Sequence, residues 1–471
     1  MICIMLSAIL FGTMPYMIVA EREEDVIEGN RIDREALAEA LPPELVRENV
    51  QNFDLQILCD LGASESIAAA SGFSKPLSEK ALKRNEHLTV ETGAVIAVTL
   101  TAEFVQAAKE DILSGDLRYN LYAADAAASL SPLLSAGYLA DVSDSVHVRA
   151  EKPWFDGNIM QKLSVYGGQY LISSAVADAR NGAEVVVYNR TIASRIDSLQ
   201  NAGESLASLA LEGQLTLEVL LTASRAAAGL QRADAPADTE EITTPFFGFC
   251  YGEEDVFPLY FGAGGGFILS EGEEMSVIEL STMRSALQEV MQLTDDPSAI
   301  ANANAFTDGA SLFSVYKLSE IAPLREIVHS IGILPLPKVN AEDEYHNYID
   351  LASTTMLAMP RGVAEQNKVE YLISRMAFLS YGYIEPLLKE QIAADNAEDE
   401  KILELIAENV SCDLSTLFGY GDINGLVAEI FREGDGRLTR NYYNRKTLYE
   451  KALSIMEKRL KSVESQDFRL E

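Results

Sequence analysis

Residues 116–144 hold a short apolar run that leads directly into a helix-starting residue, and this junction limits what the chain can fold into. Asn120 to Ala124 is suited to a buried strand, and Asp125 follows it as the N-cap of a helix that stops at Gly137. In an open α/β sheet, such a junction lies at the carboxyl edge, where ligands bind in a crevice. An ordinary βα turn without a ligand is the alternative.

Strand-like and helix-like patterns alternate on the N-terminal side of this junction. Apolar spacing predicts strands over Phe53 to Leu61 and Gly93 to Leu100, and a helix over Lys75 to Glu91. A further helix is predicted over Glu103 to Ser114, with Gly115 as the residue that ends it. Because this alternation is typical of a parallel sheet flanked by helices, the predicted fold class is α/β.

A second α/β unit is predicted further along the chain. Leu163 to Ile172 contains Gly167-Gly168 between two alternating runs, which is typical of a hairpin with a primed turn. Glu184 to Asn189 is a Val-rich strand, and Thr216 opens a capped helix through Ala228. Later segments with strand or helix patterns are Ile331 to Leu336, Asn347 to Met359, Asn367 to Ser380, Glu398 to Asn409 and Thr447 to Ser465.

The size and charge of the chain exclude several classes of partner. Its 471 residues, 48% of them apolar, are enough for two or three domains with sizeable cores. Lys and Arg total 37 against 72 Asp and Glu, which gives a formal charge of −35. Since this charge repels nucleic-acid phosphates and anionic membrane faces, we expect neither as a partner.

Cysteine and histidine are too scattered to form a framework. None of the four cysteines belongs to a CxxC pair, and the four histidines stand singly. This pattern argues against a disulfide scaffold and an ordinary zinc cluster. A single bridge between Cys250 and Cys412 is left open.

The amino terminus predicts export. Ile2 to Ala20 is almost wholly apolar, contains Pro15, and is followed by acidic residues. It is suited to a secretory signal peptide ending at an Ile-Val-Ala site, or to a membrane anchor, because its length is close to the roughly 20 residues that span a bilayer. A buried N-terminal helix is the third possibility, and residues 21–51 are interpreted as a tether.

Motifs for nucleotide binding and for catalysis are missing from the sequence. Ala263-Gly264-Gly265-Gly266 has neither a following Lys-Ser or Lys-Thr nor GxGxxG spacing, so a plain glycine turn is favoured there. No GxSxG elbow or HExxH helix occurs, and the acidic run Glu253-Glu254-Asp255 is interpreted as solvated surface. A glycoside hydrolase with two distant carboxylates remains the enzymatic alternative.

Six short stretches, in this order along the chain, resemble motifs of one protein family. Two belong to the predicted first unit: Leu113 to Tyr122, with its helix followed by an Asp and a hydrophobic strand, and Ser135 to Asp141, similar to an "SGyLlDL" turn. The others are Lys152-Pro153-Trp154-Phe155-Asp156, similar to the "KPWW-D" of a clostridial branch; Val187 to Arg190, similar to "xYNK"; Ala305 to Phe313, similar to "F-x-x-G-x-a-m"; and Ile331 to Pro337, similar to "GxxPxP". From residue 52 to residue 465 the chain therefore resembles the family 1 extracellular solute-binding proteins, the capture subunits of ABC importers.

This resemblance implies a two-lobed periplasmic-binding-protein-like fold of type II, in which each lobe is a sheet flanked by helices and a hinge joins them. Residues 1–20 would be the signal-like or anchor segment, 21–51 the tether, 52–172 plus 333–380 the first lobe, and 173–330 plus 381–471 the second. The resemblance further implies an exported monomer, extracellular or anchored at the cell surface, that passes a small solute to an ABC permease. No bond would be made or broken.

Two departures from the family pattern bear on the ligand. Many relatives of this branch carry a calcium-like D-x-N-G-D-G-x-x-D loop, whereas Gln231 to Glu241 lacks its glycines and spacing, so we predict no calcium, no other metal and no cofactor. Sugar binders often stack rings on tryptophan, and Trp154 is the only one here. Flanked by Pro153 and Phe155, it is interpreted as a packing anchor.

Candidate ligand-binding residues lie at strand ends and hinge edges, where a cleft between lobes would place hydrogen-bonding groups and aromatic faces. Helix capping is the alternative role for the acidic residues among them, and core packing for the aromatic ones. The candidates are Asp60, Ser64, Asp125, Asp178, Tyr251, Glu253, Tyr316 and Asp350.

The function predicted from the sequence is capture of a small polar solute, a sugar or oligosaccharide, for an ABC permease. A ligand-sensing module of the same fold that feeds a membrane receptor is the second hypothesis. A degenerate relative that binds little is the third.

Overall fold

The structure is a computed structural model that describes residues 16–19, 48–67, 76–177, 179–199, 205–230, 245–383, 389–390, 392 and 396–464. Asp178 and the predicted loop 231–241 lie outside the described residues. The strands are β1 (Tyr16–Val19), β2 (Asp54–Asp60), β3 (Val95–Thr101), β4 (Leu121–Asp125), β5 (Glu184–Asn189), β6 (Phe247–Cys250), β7 (Ile268–Glu271), β8 (Glu274–Val277), β9 (Ala299–Ile300), β10 (Ser311–Lys317), β11 (Ile331–Leu334), β12 (Asn347–Tyr348), β13 (Thr355–Ala358) and β14 (Val410–Ser411).

Helices cover both faces of the sheets that these strands form. Those in the described part of the chain are α1 (Ser64–Ile67), α2 (Pro76–Thr92), α3 (Phe104–Ser114), α4 (Ser131–Ser135), α5 (Gly157–Lys162), α6 (Arg190–Ala193), α7 (Leu206–Leu211), α8 (Leu217–Ala228), α9 (Val256–Gly262), α10 (Leu280–Thr294), α11 (Asn304–Thr307), α12 (Ile321–Ile327), α13 (Gln366–Tyr383), α14 (Ala397–Glu408), α15 (Leu414–Phe418), α16 (Ile423–Glu433) and α17 (Leu438–Glu464). The strands and helices predicted from the apolar pattern are thus present with shifted ends, except that the predicted strand-like region Asn347 to Met359 is divided into β12 and β13, which belong to different sheets.

Two five-stranded sheets organise the molecule. The first has the order β1-β3-β2-β4-β13, in which β2, β3 and β4 are parallel and the two outer strands are antiparallel to their neighbours. The second has the order β11-β5-β10-β6-β9, in which β5 alone runs against the others. Each sheet with its helices forms one lobe, which confirms the predicted α/β, two-lobed fold.

The chain passes between the sheets on neighbouring paths. Residues 173–183 lead from the first sheet to β5, and residues 349–354 lead back to β13. Ala183 and Ile349 form a β-bridge where the two passages meet. The strands that the chain enters from the other lobe, β13 in the first sheet and β5 in the second, are antiparallel to the strands they pair with.

The alternation of side chains along the strands divides the core of the first sheet between two clusters. In β4, Leu121 and Ala123 belong to a core that lies against α13, whereas Tyr122 and Ala124 belong to a larger core that continues into the second lobe. Side chains in a strand point alternately to opposite faces, so one apolar run supplies both cores. Trp154 lies in the smaller core, edge-on to Phe378 at 5.2 Å, as expected of a packing anchor.

The predicted helix after β4 forms, but its first turn is unusual. Asp125 caps it by accepting a hydrogen bond from the backbone N–H of Ala128, and Gly137 follows its end with a positive φ of 75°. Residues Ala126–Leu130 adopt a π-helical turn before α4 begins at Ser131. Pro132 has no N–H to donate to residue 128, which favours the wider turn at this point.

Two other predicted elements form with different bounds. The predicted hairpin has its tight turn at Tyr166 and Gly167, both at positive φ, one residue earlier than the Gly-Gly pair. The C-terminal helix α17 begins at Leu438 rather than Thr447. The buried side chains of Leu438 and Tyr442 pack into the core and extend the helix through a polar stretch that carries no clear apolar stripe.

The described part of the N-terminal apolar segment is a strand rather than a helix. Tyr16–Val19 pairs antiparallel with β3 at the outer edge of the first sheet. Among the helices that the structure describes, none is long and apolar enough to cross a membrane. Cys59, Cys250 and Cys412 are buried free thiols, so the bridge left open by the sequence is not formed.

Candidate ligand-binding cleft

Two acidic residues that end strands of the first sheet lie together, and we call Asp60 and Asp125 the first edge. The carboxylate of Asp60 accepts hydrogen bonds from the backbone N–H groups of Asp125, at 2.7 Å, and Ala63, at 2.8 Å. Asp125 in turn accepts from the N–H of Ala128 at 2.6 Å. Both carboxylates are thereby held at the carboxyl end of the sheet, where the sequence predicted them.

A turn between the lobes lies against the first edge, and we call residues 350–354 the crossing turn. The backbone carbonyls of Thr354 and Leu351 accept hydrogen bonds from the N–H groups of Ala126, at 2.9 Å, and Ala127, at 3.2 Å. The carboxylate of Asp350 accepts from the backbone of its own turn and projects toward the second lobe. The crossing turn therefore connects the two lobes at the cleft.

The matching position of the second sheet carries Glu184, Lys317 and Asp255, which we call the second edge. Glu184 begins β5 directly beside Lys317, the last residue of β10. The ammonium of Lys317 donates to the carboxylate of Asp350 at 2.7 Å and to the hydroxyl of Ser353 at 3.0 Å. Lys317, the cation of the second edge, thus donates its hydrogen bonds to the crossing turn rather than to Glu184, its neighbour on the adjacent strand.

Glu184 and Asp255 are buried despite their charge. Glu184 is 8% exposed, and its carboxylate accepts no hydrogen bond from any residue that the structure describes. Asp255 is 7% exposed and accepts one hydrogen bond, at 2.7 Å, from the N–H of Gly252. Buried carboxylates without enough donors are costly in an empty cleft.

Burial raises the pKa values of three of these carboxyls. Desolvation is the largest cause in each case, and neighbouring carboxyls add to it. The pKa of Glu184 is raised to about 8, that of Asp255 to about 7 and that of Asp125 to about 6. Asp350 contributes to the raised pKa of both Asp125 and Glu184, so the two edges lie within electrostatic reach of each other.

The ion pair at the crossing turn has the opposite effect. Burial by itself would raise the pKa of Asp350, but the hydrogen bond and charge of Lys317 lower it overall. Burial would likewise lower the pKa of Lys317, but Asp350, Glu184 and Glu320 raise it. Both groups are therefore held in their charged forms across the whole neutral range.

Three of the residues predicted from the sequence come together in the cleft, namely Asp60, Asp125 and Asp350. Tyr316, in β10 of the second sheet, is half-buried against Phe306, with ring centroids 5.9 Å apart. Its pKa is raised to about 12, first by burial and then by groups that include Asp255. A role of these residues in binding stays a prediction.

The other predicted residues that the structure describes have partners of their own, and their role in binding stays a prediction. The Ser64 hydroxyl donates to the backbone carbonyl of Leu61, and the Tyr251 hydroxyl donates to that of Thr294 in α10. Glu253 forms an ion pair with Arg432 at 2.6 Å on the surface. Asp178 lies outside the described residues.

The interpretation of the acidic run at 253–255 as solvated surface is wrong for its last residue. Glu253 and Glu254 are exposed, but Asp255 is buried at the start of α9. The reason is that α9 is buried along its whole length and draws the residue before it into the protein.

Sequence reasoning also missed Glu184, Lys317 and Glu320, whose carboxylate accepts a hydrogen bond from the N–H of Lys317 at 2.9 Å. One signal was available for Glu184, because a charged residue opens a strand that is otherwise apolar. Its pairing with β10 joins segments that are distant in the chain, so no local pattern reveals it.

This arrangement defines a class of fold. Two α/β lobes are joined by adjacent passages, and each has polar strand ends where the passages meet, as in the periplasmic-binding-protein-like proteins. In the part of the chain that is described, no group of three or more His, Cys, Asp or Glu side chains is arranged to hold a metal ion.

Solved structures of known binding proteins share this fold. The sugar transporter from Rhizobium etli, in an open conformation, has a TM-score of 0.55 at 11% identity over 86% of this chain and 99% of its own. The GacH receptor of Streptomyces glaucescens, solved unliganded and with acarbose, has a TM-score of 0.51 at 13% identity, covering 85% and 98%. The galacto-N-biose/lacto-N-biose I-binding protein of a Bifidobacterium longum ABC transporter has 0.51 at 12%, covering 87% and 99%.

Sequence comparison finds nothing to add. No protein-family model matches the chain, and no curated protein is significantly similar to it. At identities of 11 to 13% the likeness is one of fold. The neighbouring structures are of binding proteins rather than enzymes.

Proposed function

We propose that this protein is a solute-binding protein, which captures a sugar or oligosaccharide between its two lobes and delivers it to an ABC permease. The observation that carries the proposal is the pair of polar edges on either side of one cleft. Asp60 and Asp125 lie on one side, and Glu184 and Asp255 lie on the other. Carboxylates in such an arrangement can accept hydrogen bonds from several hydroxyl groups of one solute.

The connection between the lobes supports a hinged mechanism. A solute that contacts both edges at once stabilises the closed form, because only that form makes both sets of contacts. The crossing turn lies between the two edges, and Lys317 donates hydrogen bonds to its residues Asp350 and Ser353. This position suits the turn to act as the hinge. The permease would then recognise the closed form.

Several finer parts of the proposal rest on the sequence. We infer membership of the family 1 solute-binding proteins and of their clostridial-type branch from the motifs, and export from the apolar N-terminal segment. A monomer that makes and breaks no bond fits the same inference. The proposed lobes are residues 52–172 plus 333–380 and 173–330 plus 381–471, although strand β11, Ile331–Leu334, pairs with β5 in the second sheet.

The proposal is tested by thermal unfolding with a panel of oligosaccharides, monosaccharides, peptides and polyamines. A solute that binds only the folded protein at one hundred times its Kd adds about 2.7 kcal/mol of stability, and so raises the Tm. We expect one or more carbohydrates to do this, and small-angle scattering to show a more compact particle with that solute. An unchanged Tm with every member would overturn the proposal.

The same panel tests the enzymatic alternative. Oligosaccharides that raise the Tm are incubated with the protein and the mixture is analysed by chromatography. A binding protein returns each one intact, whereas a glycoside hydrolase releases shorter products.

A further inference from the structure

Glu184 is the most unusual side chain of the second edge. It is ionisable and about nine-tenths buried, and no described residue donates a hydrogen bond to it. Its position is fixed by the sheet, because it pairs with Lys317 at the start of β5. The nearest cation does not neutralise it, because the ammonium of Lys317 donates to Asp350 and Ser353. The carboxyl of Glu184 is therefore left available to a donor on a solute that reaches this edge.

The charges around Glu184 indicate what kind of donor this is. Asp255, Glu320 and Asp350 all act on its carboxyl, and Lys317 is the single positive charge acting on it in the described part of the chain. Counting Glu184 itself, four carboxyl groups lie around one ammonium, and the first edge adds Asp60 and Asp125. A hydroxyl group supplies a donor but no charge, whereas an ammonium supplies several donors and a positive charge that lets Glu184 and Asp255 ionise.

We propose that the solute carries a protonated amine, which the carboxylate of Glu184 receives with Asp255 beside it. This inference rests on the proposed function, since it places the amine in the same interlobe cleft. Two sources share the chemistry: an amino sugar, which is itself a carbohydrate, and a linear polyamine. Carboxyl groups outnumber cations around Glu184, and its own carboxyl accepts no hydrogen bond from a described residue. Both features favour an amino sugar or a polyamine over a neutral sugar.

Binding of an amine is then linked to protons. In the empty cleft the pKa of Glu184 is raised to about 8 and that of Asp255 to about 7, so both hold protons near neutral pH. A bound cation lowers both pKa values, because it stabilises the ionised forms, and the protons are released on binding. Affinity for an amine that stays protonated, such as spermidine, should therefore increase from pH 5.5 to pH 7.5, a range in which Lys317 and Asp350 keep their charges. The amine of an amino sugar loses its own proton within this range, so the pH dependence is tested with the polyamine.

The test is calorimetric titration of the full chain with matched ligands. Chitosan oligosaccharides carry amines, and chitin oligosaccharides of the same length carry neutral N-acetyl groups in their place. Spermidine represents the linear polyamines, and maltotriose represents neutral sugars. We expect one of the two amine ligands to bind at 1:1 stoichiometry and at least tenfold more tightly than the neutral ones at pH 6, where both carry protonated amines. If spermidine is that ligand, it should bind tenfold more tightly at pH 7.5 than at pH 5.5.

Two variants locate the binding. Glu184→Gln should weaken binding of the amine by at least tenfold and change binding of any neutral sugar by less than twofold. Glu326→Gln, at an exposed site on α12 of the same lobe, removes the same charge elsewhere and should change nothing. Equal losses in the two variants would mean that the amine responds only to the net charge of −35, and would overturn the inference.

The remaining outcomes separate this inference from the proposed function. Neutral oligosaccharides that bind as tightly as their amine counterparts would overturn the inference and leave the proposed function standing. No binding by any sugar or amine would overturn both.

Discussion

The two edges that face the cleft have the same construction in both lobes. In each sheet, the strand that the chain enters from the other lobe begins beside the end of a strand running the opposite way. In the first sheet this places Thr355 beside Asp125, and in the second it places Glu184 beside Lys317. The backbone therefore places Asp125 and Glu184 at equivalent positions of the two sheets.

The two edges differ in what their carboxylates bond. Asp60 accepts two backbone N–H groups and Asp125 accepts one, so the acids of the first edge hold that edge together. Glu184 accepts none from the described residues. A buried acid that accepts no hydrogen bond within its own lobe lowers the stability of the folded protein. The predictions below measure how the acids of the two edges differ in their effect on stability.

The largest effect is expected for Glu184→Gln as a function of pH. The pKa of Glu184 is about 8 in the folded protein, against an ordinary value of 4.5. Between these values the folded state holds a proton that the unfolded state has lost, so its contribution to the free energy of unfolding falls as pH rises. Between pH 5 and pH 8 the wild type should therefore lose on the order of 3 kcal/mol of unfolding free energy that Glu184→Gln keeps.

Urea unfolding of both proteins across that pH range measures the difference. Glu326→Gln is the control and should follow the wild type. If the unfolding free energies of wild type and Glu184→Gln changed with pH in parallel, Glu184 would not differ from the acids of the first edge in the way described.

Asp60→Ala should have the next largest effect, with the opposite sign. It removes the acceptor of two backbone N–H groups at the first edge, which costs about 2 to 4 kcal/mol of unfolding free energy. Asp54, at the other end of the same strand, is exposed, and Asp54→Ala should change stability by less than about 0.5 kcal/mol. Equal effects in chemical denaturation would show that Asp60 does not hold the edge.

Asp125 is tested by comparing two uncharged replacements. Asn is as good an N-cap as Asp, whereas Ala accepts no hydrogen bond from Ala128. Asp125→Ala should therefore be less stable than Asp125→Asn by about 1 kcal/mol in thermal or urea unfolding. Since neither variant carries a charge at this position, the difference should not depend on pH, and a strong pH dependence would contradict a capping role.

The smallest effect is expected for Glu253→Ala. Its ion pair with Arg432 is on the surface of the second lobe, with side chains 61% and 59% exposed. Such pairs are screened by solvent, and we expect a change of less than about 0.5 kcal/mol in unfolding free energy. A larger loss would show that burial is not what distinguishes Glu184 from other acids of its lobe.

Local patterns predicted most of the fold. The strands β2, β4 and β5 are short apolar runs next to capping or turn residues, and these signals involve neighbours in the sequence. Asp60 and Asp125 were found in the same way, because each follows its strand directly. Their contact could be expected, since parallel neighbouring strands end at the same edge.

The second edge could not be predicted in this way. The neighbours of Glu184 are set by the register of β5 against β10, and this register depends on how the whole lobe packs. Asp255 looked solvated because two exposed acids precede it, and only the burial of α9 distinguishes it from them. Whether a single charged residue is buried depends on tertiary packing, and it cannot be predicted from the composition of its neighbours in the sequence.

The long C-terminal helix α17 restricts how the cleft can open. It has 27 residues and is about 40 Å long, and the backbone carbonyl of Leu453 accepts a hydrogen bond from Tyr166 in the hairpin that follows α5. Arg459, near its far end, donates to the carbonyl of Ser135 in α4. Both of these bonds join the C-terminal part of α17 to the first lobe. Tyr442, nearer the start of the helix, donates to the backbone carbonyl of Ile278 in the second lobe, so α17 is bonded to both lobes and limits their movement relative to each other.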